Sequence, residues 1–248
     1  MQVTPAGFTF AIWGIIYLWQ GLWVAYAWSF LCRPNAYRTI TTGVYVGFAI
    51  VNALNITWLF LWGYQDIVVA AGVLFSINMA FYPTIGLLVS NFYKNSSKSD
   101  NLDRTLTWIL PINGLFFYVT WTTIASLINL TVVLQYTNVI GTFTATQSGT
   151  VALSLLLIIL GIYFTLENTV LFNTLRYVFS VYPVVIWALV GELSAHWGAA
   201  GEEKNSWYTL GLLLVTVVLF VIRIVRLIGA AGVIKTSRPK HYETLVTV

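Results

Sequence analysis

Glu167-Asn168-Thr169-Val170-Leu171-Phe172-Asn173-Thr174-Leu175-Arg176 is the stretch that decides how this chain is threaded. It lies between two apolar runs, and its charged and amide side chains are costly in hydrocarbon. Read as a short membrane-surface turn, it separates two spans; read as part of one bent helix, it reverses the side of everything downstream. Composition makes a membrane the starting point. Of 248 residues, 58% are hydrophobic, 16% aromatic and only 8% charged, against about 25% charged in soluble domains. A hydrocarbon core takes about 20 helical residues. Apolar stretches of that order lie near 5–31, 39–63, 67–92, 105–133, 149–166, 177–196 and 206–228. The fold expected is all-α, a polytopic membrane bundle of seven transmembrane helices.

Lys and Arg give the orientation, because basic residues stay cytoplasmic in short loops. With seven spans, one side carries Arg33, Arg38, Lys94, Lys98, Arg104, Arg176, Arg223, Arg226, Lys235, Arg238 and Lys240, and the other only Lys204. Six spans would divide the same charges evenly, so the asymmetry favours the turn at 167–176. The expectation is an N-terminus outside and a cytoplasmic C-terminus. The net charge of +4 is then a topology signal rather than a nucleic-acid footprint. The short turn Tyr64-Gln65-Asp66 makes the second and third helices antiparallel neighbours. The single Cys32 rules out an intrachain disulfide.

Within the helices, polar and ring side chains recur at helical spacing. Thr4 is placed to cap the first helix, with Pro5 at its first position, where a missing N–H costs nothing. Phe10, Gly14, Tyr17 and Gly21 share one face; so do Asn55, Trp58 and Trp62 on the second helix, and Trp121, Ala125 and Asn129 on the fourth. As packing faces, these would use small residues for close approach and Asn as interhelical glue. Trp19, Trp23, Trp28, Trp197 and Trp207 read as ordinary interface anchors. As a pocket, Phe8, Phe10, Trp13, Asn55, Trp58, Trp62, Trp121 and Asn129 would offer stacking surfaces with a few orienting polar groups.

Three pieces carry a resemblance in the same order: Thr4-Pro5-Ala6-Gly7-Phe8 leading to Trp13 and Tyr17, Asn55-Ile56-Thr57-Trp58 closing at Trp62-Gly63, and Trp121-x-x-x-Ala125-x-x-x-Asn129. Together they resemble the tryptophan-rich sensory protein family, the TspO/MBR group that includes the translocator protein or peripheral benzodiazepine receptor. The resemblance covers 4–133, so the chain divides into a TspO-like four-helix part, 1–136, and three additional helices with a basic tail, 149–248. It implies an integral multi-pass membrane protein that binds a hydrophobic flat ligand, a tetrapyrrole or sterol, in an aromatic cavity, as a sensor or receptor. Family members usually carry one helix before the Thr-Pro entry, which helps close the ligand pocket, so the family pocket carries over only if one of the extra helices fills that place. Ala6 stands where a second proline is common, and Pro111 lies further from Trp121 than the family's proline.

Other chemistry is thin, and the chain does not read as an enzyme. Glu167 and Glu192 lie toward opposite faces and cannot work as a pair. Glu192 and His196, one turn apart, read as a solvated interfacial salt bridge. Two His and one Cys at unrelated positions give no metal site, and no cofactor is implied beyond a tetrapyrrole ligand. The last span lacks Lys, which argues against a retinal protein. Pro83, Pro111 and Pro183 inside helices suggest the alternative of a small-molecule transporter or channel. Leu88 or Val89, Tyr93 and Lys98 formally fit a proposed sterol-contact pattern. The partners expected are the bilayer and a hydrophobic small molecule. A homodimer stays open. Val246-Thr247-Val248 could add a strand to a PDZ-type domain, although an ordinary apolar tail is the favoured reading.

Overall fold

The computed structural model describes residues 3–33, 38–95, 98–137, 141–198 and 203–236, so Arg238, Lys240 and Val246-Thr247-Val248 lie outside the described residues. A 3-10 turn, Gly7–Ala11, leads into α1, Ile12–Ser29; then come α2, Thr42–Gly63, and α3, Ile67–Asn95. A short α4, Asn101–Thr107, continues through a π-helical segment, Trp108–Ile112, into α5, Asn113–Tyr136. The chain ends with α6, Ala145–Asn168, α7, Val181–His196, and α8, Glu203–Thr236. Six of these segments are long and apolar enough to cross a membrane. The seventh, α7, has 16 residues, about 24 Å of helix, and is shorter than a full span.

Contacts at the helix ends gather those ends at two opposite sides of the bundle. His196 Nε2 lies 2.8 Å from the Thr4 carbonyl, and Asn205 Oδ1 accepts from Thr150 Oγ1 at 2.9 Å, gathering the starts of α1, α6 and α8 with the end of α7. At the opposite end Arg33 pairs with Asp103 at 2.9 Å, and Tyr93 donates to the Asn173 and Thr174 carbonyls. The hydrogen bonds to Asp103 raise the Arg33 guanidinium above its ordinary pKa. The turn at 64–66 joins α2 to α3 as closely packed neighbours, with Gln65 at a φ of 61°.

Local signals explain most of the boundaries. The Asp100 carboxylate accepts from the Asp103 N–H and caps α4. Thr144 and Gln147 form a reciprocal capping box, so α6 starts at Ala145, ahead of the span expected from 149. Pro111 has no N–H to donate, and the chain around it widens to a π turn. Side chains bond the carbonyls of that turn: Asn113 Nδ2 donates to Trp108 O at 2.9 Å, and Trp19 Nε1 to Ile109 O at 3.1 Å.

The entry to the first helix differs from the expected cap. Helical structure begins at Gly7, behind an Ala6 N-cap with no side-chain bond, and Thr4 Oγ1 is buried without a partner. Docking onto α7 displaces the cap: Ala6 N donates to Gly191 O at 3.0 Å, and Trp187 Nε1 to Thr9 O at 2.9 Å. Gly191 makes this approach feasible, since a Cβ there would overlap the Thr9 side chain. Thus α7 packs beside the Thr4-Pro5 entry.

The break at 169–180 is a run of turns between α6 and α7. Its first charged neighbour, however, is enclosed by protein. Glu167 is fully buried, accepts from the Tyr182 hydroxyl and lies 3.4 Å from Arg223 Nε. Arg223, counted above among loop charges, is 1% exposed and also donates to the Glu167 and Leu175 carbonyls. Glu192 likewise is buried rather than solvated, and it accepts from Thr209 Oγ1 at 2.7 Å. Pro183 falls in the first turn of α7, an ordinary place for proline, which leaves Pro83 and Pro111 inside helical segments.

Candidate ligand site

The face of α1 that packs into the bundle is Ile12, Ile16, Gln20, Trp23 and Ala27. Trp23, read as an interface anchor, is fully buried there and donates to Gln20 Oε1 at 2.6 Å. The Phe10, Gly14, Tyr17, Gly21 face is exposed instead. It is not a close-packing face, since a Cβ on Gly14 or Gly21 would meet nothing within 4 Å. The backbones of α1 and α2 hold apart, and ring side chains bridge the gap.

Trp13 is the hub of those rings. It stacks on Trp58 of α2 at 5.9 Å and on Tyr17 at 5.6 Å, and meets Tyr118 and Trp121 of α5 edge-on at 6.0 and 6.3 Å. Phe10 lies edge-on to Trp121 at 6.2 Å, and Trp62 continues the stack from Trp58 at 6.1 Å. Such pairs each contribute about 0.5–1.5 kcal/mol beyond area burial. Asn55 is tied to the same group, donating to the Tyr17 hydroxyl at 3.3 Å. Six of the eight predicted residues thus come together. Phe8 instead packs edge-on against Trp187 of α7, 5.7 Å away. Asn129 is buried and bonds back to its own helix at Ala125 O; among the described residues no contact joins it to the rings.

Sequence reading missed Tyr118. It is fully buried, contacts both Trp13 and Phe81, and stands three residues before Trp121, on the same side of α5. That spacing was the available signal, hidden because a tyrosine in an apolar run looks like core.

Four buried polar atoms of this ring cluster are unpaired. Trp58 Nε1, Trp121 Nε1, the Tyr118 hydroxyl and Asn55 Oδ1 are all buried without a hydrogen-bond partner. Burying one such group unpaired costs about 1–3 kcal/mol, and four of them share one ring cluster. Two indole N–H donors, a phenol and an amide oxygen would suit a flat, largely apolar molecule with a few carbonyl or carboxylate groups at its edge.

These features define a polytopic helical membrane protein with an aromatic cage between its first, second and fifth helices. The family model described as TSPO-like protein matches residues 1–227, and the chain belongs to that family. The match runs on through α6 and α7 into α8, beyond the part that carried the three motifs. Neither a curated protein nor a solved structure matches the chain.

Proposed function

We propose that the protein is a sensor or receptor that holds a flat hydrophobic ligand of tetrapyrrole or sterol type in the cage around Trp13, Trp58 and Trp121. The observation that carries this reading is the set of four buried, unpaired polar atoms among stacked rings. A cage built only for packing would pair those atoms or replace them with hydrocarbon. The role is binding rather than catalysis. We further propose that the Thr4-Pro5 end faces away from the cytoplasm, because the opposite end gathers Arg33, Lys94, Arg104 and Arg176. A porphyrin added to the purified protein should quench tryptophan fluorescence saturably, and Trp58→Ala should abolish most of that quenching. Unchanged quenching in Trp58→Ala would move the site elsewhere. The π turn at Pro111, a feature frequent at functional sites, favours a transporter as the second reading, which predicts flux of the bound molecule across reconstituted vesicles.

A further inference from the structure

We propose that a second, lateral site, the cleft between α3 and α6, seats one acyl chain of an anionic phospholipid with its headgroup at Lys94. Helix α5 packs against both α3 and α6, which hold apart from each other, so α5 forms the floor of a cleft. A cavity of about 620 Å³ there is bounded by Tyr82, Gly86, Val89 and Lys94 of α3, Phe116 of α5 and Tyr163 of α6. A smaller cavity of about 120 Å³ shares Tyr82, Phe116 and Tyr163 and prolongs it toward Leu156.

Length and charge select the occupant. Tyr82 and Lys94 are twelve residues apart, about 18 Å along a helix, which is close to the one-leaflet half of an about 30 Å hydrocarbon core. The cleft is thus one leaflet deep. Its walls are mostly apolar, no Asp or Glu lines it, and Tyr82 is 55% exposed on its flank. At its closed end Tyr93 ties α3 to the 169–180 segment through the Asn173 and Thr174 carbonyls. Beside that closure Lys94 is exposed and, among the described residues, carries no ion pair. An ammonium at the end of a leaflet-deep apolar cleft matches a phosphate joined to a hydrocarbon chain. The site is separate from the ring cage, and the proposal does not depend on what that cage binds.

The test uses the full chain in nanodiscs with trace phosphatidylglycerol or phosphatidylcholine, each carrying a diazirine on its acyl chain, and maps crosslinked peptides by mass spectrometry. Labelling should concentrate on α3 and α6, with phosphatidylglycerol exceeding phosphatidylcholine by about fivefold, the factor that one basic residue contributes near an anionic headgroup. Lys94→Gln should remove that preference but keep the chain labelling. Gly86→Trp, whose Cβ would meet nothing within 4 Å, should fill the cleft and abolish the labelling. If Gly86→Trp does not fold, the Lys94→Gln comparison decides alone. Labelling spread evenly over all lipid-facing helices would overturn the proposal. So would equal labelling by both headgroups, or displacement of both by a sterol.

Discussion

The two sides of the bundle treat buried polarity differently. Around α6, α7 and α8, the charged groups meet one another or a hydroxyl: Glu167 with Tyr182 and Arg223, and Glu192 with Thr209. Around α1, α2 and α5, large rings stack while indole, phenol and amide groups stay unpaired. Inside a membrane an unmatched polar group finds no solvent to satisfy it. On the first side the Tyr163 hydroxyl and Asn168 Oδ1 also lack a partner, so what sets the second side apart is that its four unpaired atoms border one cluster of stacked rings, the place proposed for a ligand.

This contrast can be broken by mutation. The largest effect is expected at Arg223→Met, which leaves the Glu167 carboxylate buried without its cation. Removing one partner of a buried pair costs about 3–5 kcal/mol, read as a lowered thermal midpoint in detergent. Adding Glu167→Gln to that variant should recover most of the loss; no recovery would mean that Arg223 acts through packing alone. Next comes Gly191→Val, which pushes the Thr9 segment off α7 and should cost about 1–3 kcal/mol, as overpacking does. A variant as stable as the parent would show that the entry segment is not fixed by α7. Asn78→Leu should be milder. It removes the bonds to Thr122 and Ser126 that join α3 to α5, with an expected loss of about 1 kcal/mol in unfolding. The smallest stability effect is expected at Trp121→Phe in the cage, because its indole N–H has no partner to lose; a loss well above about 1.5 kcal/mol would point to an unseen structural bond.

Much of the architecture was legible in the sequence because the span of a helix across hydrocarbon sets its length. The apolar runs, the tight turn at 64–66 and the break near 167–176 follow from that constraint and from where Glu, Asn and Arg interrupt it. The rest depends on contacts between distant segments. The Thr4 cap is lost because Ala6 bonds to Gly191, and Arg223 read as a loop charge because its partner Glu167 lies 56 residues earlier. The π turn at Trp108–Ile112 sits in a continuous apolar run, where periodicity cannot register one widened turn. Six of the eight candidate residues lie in one ring cluster because Trp and Asn stand out at helical spacing on faces that meet. Phe8 and Asn129 share that spacing, but their helices carry them to α7 and to a self-bonded position.

Whether the unpaired atoms of the ring cluster bind a ligand is read by titrating the protein and Trp121→Phe with the same porphyrin and following the remaining tryptophan fluorescence. Phenylalanine keeps a buried six-membered ring and loses the five-membered ring that carries the N–H, so a bond made by that N–H should appear as an affinity loss of about tenfold, the equivalent of about 1.4 kcal/mol. Equal affinity in the two proteins, at equal stability, would contradict the assignment of the cage as the binding site.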